Sequence, residues 1–91
     1  MRRMPLVLAL IVALLLPLGA LAQGPCATLA EFPTKRAAQS HCAGDMVVWL
    51  NLPTGIYHFR GERWYGRTRS GAYVCRREAD RACMRATRNG Q

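Results

Sequence analysis

The sequence predicts a small α+β domain: a three-stranded antiparallel sheet with one short C-terminal helix, stapled by disulfides. Two strand-forming runs flank a Pro-Thr-Gly turn between residues 46 and 60, and a third run near residue 72 precedes a helix-like segment. The chain also begins like a secretory signal and then contains four cysteines, which is typical of small disulfide-bonded exported proteins.

Residues 1–22 are expected to be a signal peptide. Arg2 and Arg3 supply the positive start, Leu6 to Leu16 is an unbroken apolar run, and residues 20–22 form an A-x-A cleavage signal. The competing hypothesis is an uncleaved anchor in the inner membrane, but the apolar run is shorter than the roughly 20 residues that a spanning helix needs. We therefore predict a periplasmic or secreted protein.

Cleavage after Ala22 would leave 91 − 22 = 69 residues, enough for one small domain. A core of this size contributes only about 3–5 kcal/mol unaided, so small exported domains usually carry covalent staples. Four cysteines are available for this purpose, and an even number in an exported chain predicts disulfides. They are Cys26, Cys42, Cys75 and Cys83.

The positive charge of the chain is consistent with anionic partners. Thirteen basic residues outnumber five acidic ones, and without Arg2 and Arg3 the formal charge is still 13 − 2 − 5, or +6. Apart from Lys35, the remaining basic residues are arginines, which bind phosphate and carboxylate in a bidentate manner. The alternative explanation is a GC-rich genome that encodes arginine and alanine freely, and the sequence leaves both open.

The chain is expected to divide into an arm, a folded domain and a tail. Residues 23–41 have no clear period and contain Pro25 and Pro33, so we expect an irregular N-terminal arm with at best one helical turn. The small α+β domain is expected at residues 42–86, and a polar, frayed tail at residues 87–91.

A β-hairpin is predicted first in this domain. Residues 46–52 and 56–60 are rich in strand formers, and Pro, Thr and Gly between them suit a three-residue loop with a bulge. That loop predicts Leu50 opposite His58. Both faces of the hairpin are apolar, so another element must cover one of them.

The segment after the hairpin supplies further elements. Gly61, Gly66 and Gly71 recur every five residues and mark tight turns. Ala72 to Cys75 is long enough for a third strand, and Arg76 to Ala82 is predicted to form a short helix with small residues along one side.

Several motifs in this part of the chain resemble a known group of proteins. CAGDMVVWLN, GIYHFRGERWYG, TxxGxY and EAD occur in this order between Cys42 and about Arg85. They are similar to the CPGDxVVWVN strand, GVYH turn, YGxTxxGxYM hairpin and EADA helix of short exported bacterial proteins. The resemblance implies an architecture but no activity, since that group has none established.

The order of elements is also similar to the metal-binding domain of the Ada DNA-repair protein, which holds zinc with four cysteines in close pairs. The cysteines of this chain lack such pairs, so zinc binding and methyl acceptance do not carry over. The layout nevertheless leaves a nucleic-acid-associated or metal-binding module as the alternative function. Where the exported proteins place glycine after the helix, this chain has Cys83, which puts a left-handed helix ending in doubt and suggests that a bridge replaces it.

The cysteine spacing restricts the disulfide pairing. A helix between Cys75 and Cys83 would hold them roughly 12 Å apart, beyond the ~7 Å limit between bridged Cα atoms. Two pairings then remain. We favour Cys42–Cys75, which joins the start of the first strand to the end of the third within the segment that resembles the exported proteins, and hence Cys26–Cys83.

No catalytic or metal motif is recognisable, and we predict neither an enzyme nor a bound cofactor. His41 and His58 are the two histidines, and neither belongs to a C-x-x-C or H-x-x-x-H pattern. We expect His41 at the surface and His58 in a strand with its ring hydrogen-bonded. No small-molecule substrate is inferred.

An anion-binding surface is the sharper functional hypothesis. Aromatic residues interleaved with arginines can stack on bases and neutralise phosphates, and an envelope polymer or an anionic lipid would attract the same arginines. The alternative is that Trp64 and Tyr65 cover one hairpin face while the arginines remain solvated, and we expect most of the aromatic rings in the core. The candidate residues are Arg60, Arg63, Trp64, Arg67 and Arg69.

Overall fold

The structure, a computed structural model, describes residues 25–91; the predicted signal peptide and its cleavage site lie outside the described residues. Within residues 25–91 the chain forms two short helices and four strands. In chain order they are α1 (Lys35–His41), β1 (Val47–Asn51), β2 (Ile56–His58), β3 (Gly71–Cys75), α2 (Arg76–Arg81) and β4 (Arg85–Ala86).

The strands form one mixed sheet in the order β3-β1-β2-β4. β1 pairs antiparallel with β2 and β3, and β4 pairs in parallel with β2. The α+β class is confirmed, but the sheet has a fourth strand, and the description as three-stranded and antiparallel is wrong in this detail. A two-residue strand shows no alternation from which a sequence could reveal it.

The β1–β2 hairpin is shifted by one residue from the predicted register. Trp49 pairs with His58 and Leu50 pairs with Tyr57. The turn has four residues rather than three, and it ends at Gly55, whose φ of +71° is left-handed. Since a shift of one residue moves a strand's side chains to the opposite face, Leu50 and Tyr57 share a face instead of opposing each other across the sheet.

One face of the sheet, called the closed face here, packs against α2. Four partly buried side chains complete this cluster: Leu29, Phe59, Met84 and Ala86. The closed face has fully apolar packing apart from the Tyr57 hydroxyl, which donates to Asp80 Oδ1 at 2.6 Å. Its buried members are Val48, Leu50, Tyr57, Ala72, Val74 and Ala79.

Helix α1 lies in the segment that was expected to be irregular. The Thr34 hydroxyl caps it by accepting the Ala37 N–H at 3.2 Å, which satisfies one of the free amides at the helix start. Ala38 is buried against Cys42 and Cys75 on the second face of the sheet. Seven residues contain less than two full helical periods, so the sequence pattern was too short to predict this helix.

Helix α2 has polar groups at both ends that hold it in place. Asp45 reaches its start from another part of the chain and accepts the Arg77 N–H at 3.0 Å. At the other end, the amides of Cys83 and Met84 donate to the carbonyls of Asp80 and Ala79, a Schellman ending. Cys83 itself adopts the left-handed conformation, with φ of +67°, so the ending that seemed doubtful without glycine is present.

Both favoured disulfides are confirmed, Cys42–Cys75 and Cys26–Cys83, each with 5.4 Å between Cα atoms. The first is buried between α1 and β3, and the second joins the exposed arm to the end of α2. Disulfides of this kind are typical of oxidising compartments. Within residues 25–91, no helix has the length and apolar character needed to cross a membrane.

Candidate functional site

An open cleft lies on the second face of the sheet, called the open face here, which α1 covers only in part. Asn51, Ile56 and His58 form its floor. The cleft has a volume of ≈ 590 Å³, within the roughly 300–1,000 Å³ that is usual for small-ligand sites.

The first wall is the loop from Trp64 to Ser70. Trp49 anchors this loop by donating its Nε1–H to Thr68 Oγ1 at 2.8 Å, which also satisfies the polar end of a buried indole. The indole lies directly on Gly71, where an added Cβ would come within 2.3 Å of the ring. The absence of a side chain at Gly71 therefore sets the position of the wall.

The second wall is the C-terminal segment, which is hydrogen-bonded rather than frayed as expected. The Thr87 N–H donates to the Tyr57 carbonyl at 3.0 Å, and the Trp64 N–H donates to the Gln91 carbonyl at 2.9 Å. Asn89 Oδ1 accepts the Thr87 hydroxyl at 2.8 Å within the segment. The tail is thus tied to both the sheet and the opposite wall.

The four arginines predicted to bind anions do not form one surface. Arg67 and Arg69 line the cleft together with Trp64. Arg63 stacks on the Trp64 ring with its guanidinium carbon 4.9 Å from the ring centre. Arg60 lies in a separate hollow beside α1, so the structure separates it from the other members of the predicted site.

Among residues 25–91, no acidic side chain lines the cleft. Asp45 is occupied at the start of α2, as described above. Glu62, which lies between Arg60 and Arg63 in the sequence, accepts the Phe59 N–H at 2.6 Å. Among the described residues, none of the four candidate arginines lies within ion-pair distance of a carboxylate, which leaves their charges uncompensated.

His58 is the most deeply buried polar residue of the floor, with 7% of its surface exposed. Its Nδ1 is buried and has no hydrogen-bond partner among the described residues, so the expectation of a fully hydrogen-bonded ring is wrong at this atom. Leaving a buried polar group unpaired costs roughly 1–3 kcal/mol. The floor of the cleft therefore contains a hydrogen-bonding group that the fold does not use.

Most aromatic rings on the open face belong to the core. Tyr73 packs edge-on against Trp49 and Tyr65, with ring centres 4.9 and 5.8 Å apart. Burial raises the pKa of Tyr65 above its ordinary value of 10.0. Trp64 is the exception, because 38% of its surface is exposed, and it borders the cleft instead of covering the sheet.

A second group of polar side chains lies where α1 ends and α2 begins. His41 Nε2 lies 2.8 Å from Glu78 Oε2, and the donor atoms of His41, Glu78 and Cys75 are all within 4.8 Å of one another. These are the residue types that bind zinc. In the oxidised protein, however, the Cys75 sulfur is bonded to Cys42 and is not a thiolate.

Comparison with protein-family models, curated proteins and solved structures gave no match. Function is therefore inferred from the side chains themselves. Sequence patterns identified Trp64, Arg67 and Arg69, but they did not identify His58 or the tail as parts of one cleft. The floor depends on strand register, and the second wall depends on hydrogen bonds between segments far apart in sequence, so neither has a local signal.

Proposed function

We propose that this protein is an exported, non-enzymatic binding module whose cleft binds anionic ligands. One observation carries this proposal: Trp64, Arg67 and Arg69 meet in a cleft that no acidic side chain lines in the described part of the chain. Guanidinium groups bind phosphate and carboxylate in charge-assisted pairs, and an exposed indole provides a flat surface on which a base can stack.

Export is supported by the signal-like sequence of residues 1–22, by the two disulfides, and by the resemblance of residues 42–85 to short exported bacterial proteins. A binding role, rather than catalysis, is supported by the setting of His58. No carboxylate or hydroxyl orients its Nδ1 within the described residues, whereas a catalytic histidine is normally held by such a group.

The test is a titration against heparin, single-stranded DNA and anionic vesicles, each at two salt concentrations. We expect weak binding that weakens further with salt. The double variant Arg67→Ala/Arg69→Ala should lower affinity for every polyanion that uses the cleft. For single-stranded DNA the slope of log affinity against log salt should become shallower by about 1.4, since each phosphate contact contributes about 0.7.

The matched control is Arg36→Ala/Arg60→Ala, which removes the same charge from two exposed positions outside the cleft. It should retain most of the affinity. Equal losses in both double variants would show that binding reflects net charge alone. No binding in any titration would leave a structural or protein-interaction role as the better explanation.

Trp64→Ala distinguishes between the ligand classes. Stacking of a base on an aromatic ring is worth about 1–3 kcal/mol, so this change should weaken binding of single-stranded DNA by about 5-fold to 150-fold if nucleic acid is the ligand. Binding of heparin or vesicles through the arginines should change much less. Equal effects on the binding of all three ligands would show that Trp64 does not act by base stacking.

A further inference from the structure

The buried disulfide joins two short segments that together carry four metal-ligating side chains. We propose that reduction of the Cys42–Cys75 bridge creates a zinc site formed by His41, Cys42, Cys75 and Glu78. This site lies apart from the cleft and does not depend on the proposed anion binding.

Three of the four donor atoms, those of His41, Cys75 and Glu78, are already near the spacing that zinc requires. Zinc bonds of about 2.0–2.3 Å in a tetrahedral arrangement place neighbouring ligand atoms about 3.3–3.8 Å apart. His41 Nε2 and Glu78 Oε2 are now 2.8 Å apart, and both lie within 4.8 Å of Cys75 Sγ. Shifts of about 1 Å or less in these three side chains would therefore satisfy the geometry.

Two helix ends position the ligands. His41 is the last residue of α1, and Cys42 caps that helix. Cys75 is the N-cap of α2, and Glu78 follows three residues later, so both point to the same side of the helix. The first segment contributes the adjacent pair His41-Cys42, and the second contributes Cys75 and Glu78 with two residues between them. A search for C-x-x-C or H-x-x-x-H patterns does not find this combination.

An ion can reach this site from solvent. Both cysteines are buried, but His41 and Glu78 border a groove of ≈ 420 Å³ that is also lined by Arg81. Two thiolates, a neutral imidazole and a carboxylate would give the zinc complex a net charge of −1. The Arg81 guanidinium in the same groove favours such a charge.

The chemistry balances with a dithiol as the reductant. The dithiol supplies two electrons, the Cys42–Cys75 bond breaks to give two thiols, and the reductant leaves as its disulfide. Zn²⁺ then binds both thiolates and displaces their two protons into solvent. Bound zinc would again link the end of α1 to the end of β3, so in the reduced protein it would replace the disulfide as the cross-link between them.

The test uses Co²⁺ as a spectroscopic substitute for zinc. A variant with Cys26→Ser/Cys83→Ser retains Cys42 and Cys75 as its two cysteines. After reduction with a phosphine and addition of one equivalent of Co²⁺, we expect the intense visible bands of a tetrahedral thiolate complex, and Zn²⁺ should abolish them. The oxidised sample should show no such bands, and circular dichroism should show that zinc restores the folded spectrum of the reduced chain.

Matched variants assign the ligands. His41→Ala and Glu78→Gln should each weaken Co²⁺ binding by at least 10-fold, whereas Gln39→Ala on α1 and Glu31→Gln in the arm should not change it. Binding that is equal in oxidised and reduced samples would overturn the proposal. So would binding that is insensitive to His41→Ala and Glu78→Gln, or a reduced chain that stays unfolded with zinc present.

Discussion

The two faces of the sheet differ in what covers them. The closed face is sealed by α2, and Leu50, Val74 and Ala79 are at most 1% exposed there. The open face is covered by α1 only near the Cys42–Cys75 bridge, and its other part is the floor of the cleft. His58 Nδ1 and the Tyr65 hydroxyl, which are buried without a hydrogen-bond partner among the described residues, both belong to the open face.

This difference separates stability from binding within one small sheet. Apolar packing on the closed face includes four of the five largest fully buried side chains, namely Tyr57, Leu50, Val48 and Val74, and burial stabilises by about 25 cal/mol for each Å² of apolar surface. The open face retains polar atoms and uncompensated arginines that contribute little to folding. We therefore expect substitutions on the closed face to alter stability, and substitutions of the cleft residues on the open face to alter mainly ligand binding; the part of the open face around the Cys42–Cys75 bridge also contributes to stability.

The largest expected effect concerns the two disulfides. Removing Cys42–Cys75 with two alanines should lower the free energy of unfolding by about 4–5 kcal/mol, and removing Cys26–Cys83 by about 2–3 kcal/mol. Loop entropy alone predicts the reverse order by about 0.5 kcal/mol, because the sequence separations are 33 and 57 residues. The predicted order therefore requires that the burial of Cys42–Cys75 outweighs this difference in loop entropy. Unfolding titrations with guanidinium chloride measure the free energy of unfolding of both variants. A larger loss on removal of Cys26–Cys83 would mean that loop entropy dominates.

Truncation of one side chain on each face compares the contributions of the two faces to stability directly. Leu50→Ala should cost about 2–5 kcal/mol, because the residue is fully buried and the cavity cannot collapse. Ile56→Ala, on the half-exposed floor of the cleft, should cost less than half as much. Equal losses measured by denaturant unfolding would contradict the assignment of stability to the closed face.

Gly71→Ala tests how the wall of the cleft is positioned. The added Cβ would collide with the Trp49 ring, so we expect a loss of about 1–3 kcal/mol and a shift in tryptophan fluorescence as the Trp49–Thr68 hydrogen bond breaks. Gly44→Ala is the control for the fluorescence change, since the added Cβ there would meet nothing within 4 Å; any loss of stability in that variant would come from its left-handed φ. An unchanged fluorescence spectrum in Gly71→Ala would show that the wall does not depend on this contact.

The left-handed ending of α2 predicts a smaller effect. In a Cys26→Ala background, Cys83→Gly should be more stable than Cys83→Ala by about 1 kcal/mol, because glycine adopts positive φ without a steric penalty. Thermal unfolding of the two variants measures the difference. If alanine were equally stable, the helix would end differently once the bridge is gone.

The smallest expected effect is a pH dependence that involves both faces. Burial, and then the hydrogen bond to Asp80, raise the pKa of Tyr57 above 10.0, and burial does the same for Tyr65. Because the folded pKa values are raised, the stability linked to these groups is fully present below about pH 10 and is lost as pH rises through the folded values. Tyr57→Phe and Tyr65→Phe should each reduce this alkaline loss in denaturant titrations at about pH 8 and about pH 11. Unchanged alkaline sensitivity in both variants would assign it to other groups.

The sequence by itself predicted the class of the fold and excluded one of the three possible disulfide pairings. Runs of strand formers around a turn predicted the β1–β2 hairpin, and the length of the helix after Cys75 excluded its pairing with Cys83. The hairpin prediction depends on the strand preferences of neighbouring residues, and the disulfide prediction depends on the length of one short helical segment. Both can be evaluated from the local sequence. The Trp64, Arg67 and Arg69 cluster was also visible, because all three residues lie in one loop.

Only the tertiary structure decided which face each strand residue occupies and what surrounds it. The turn contains one residue more than predicted, so Leu50 pairs with Tyr57 instead of His58. His58 therefore lies on the opposite face of the sheet, on the floor of the cleft. Helix α1, strand β4 and the tail are each too short for a periodic pattern, and they are held by contacts with distant segments such as Tyr57 and Trp64. Such elements are stabilised by the packing that they complete, so their positions cannot be read from local sequence.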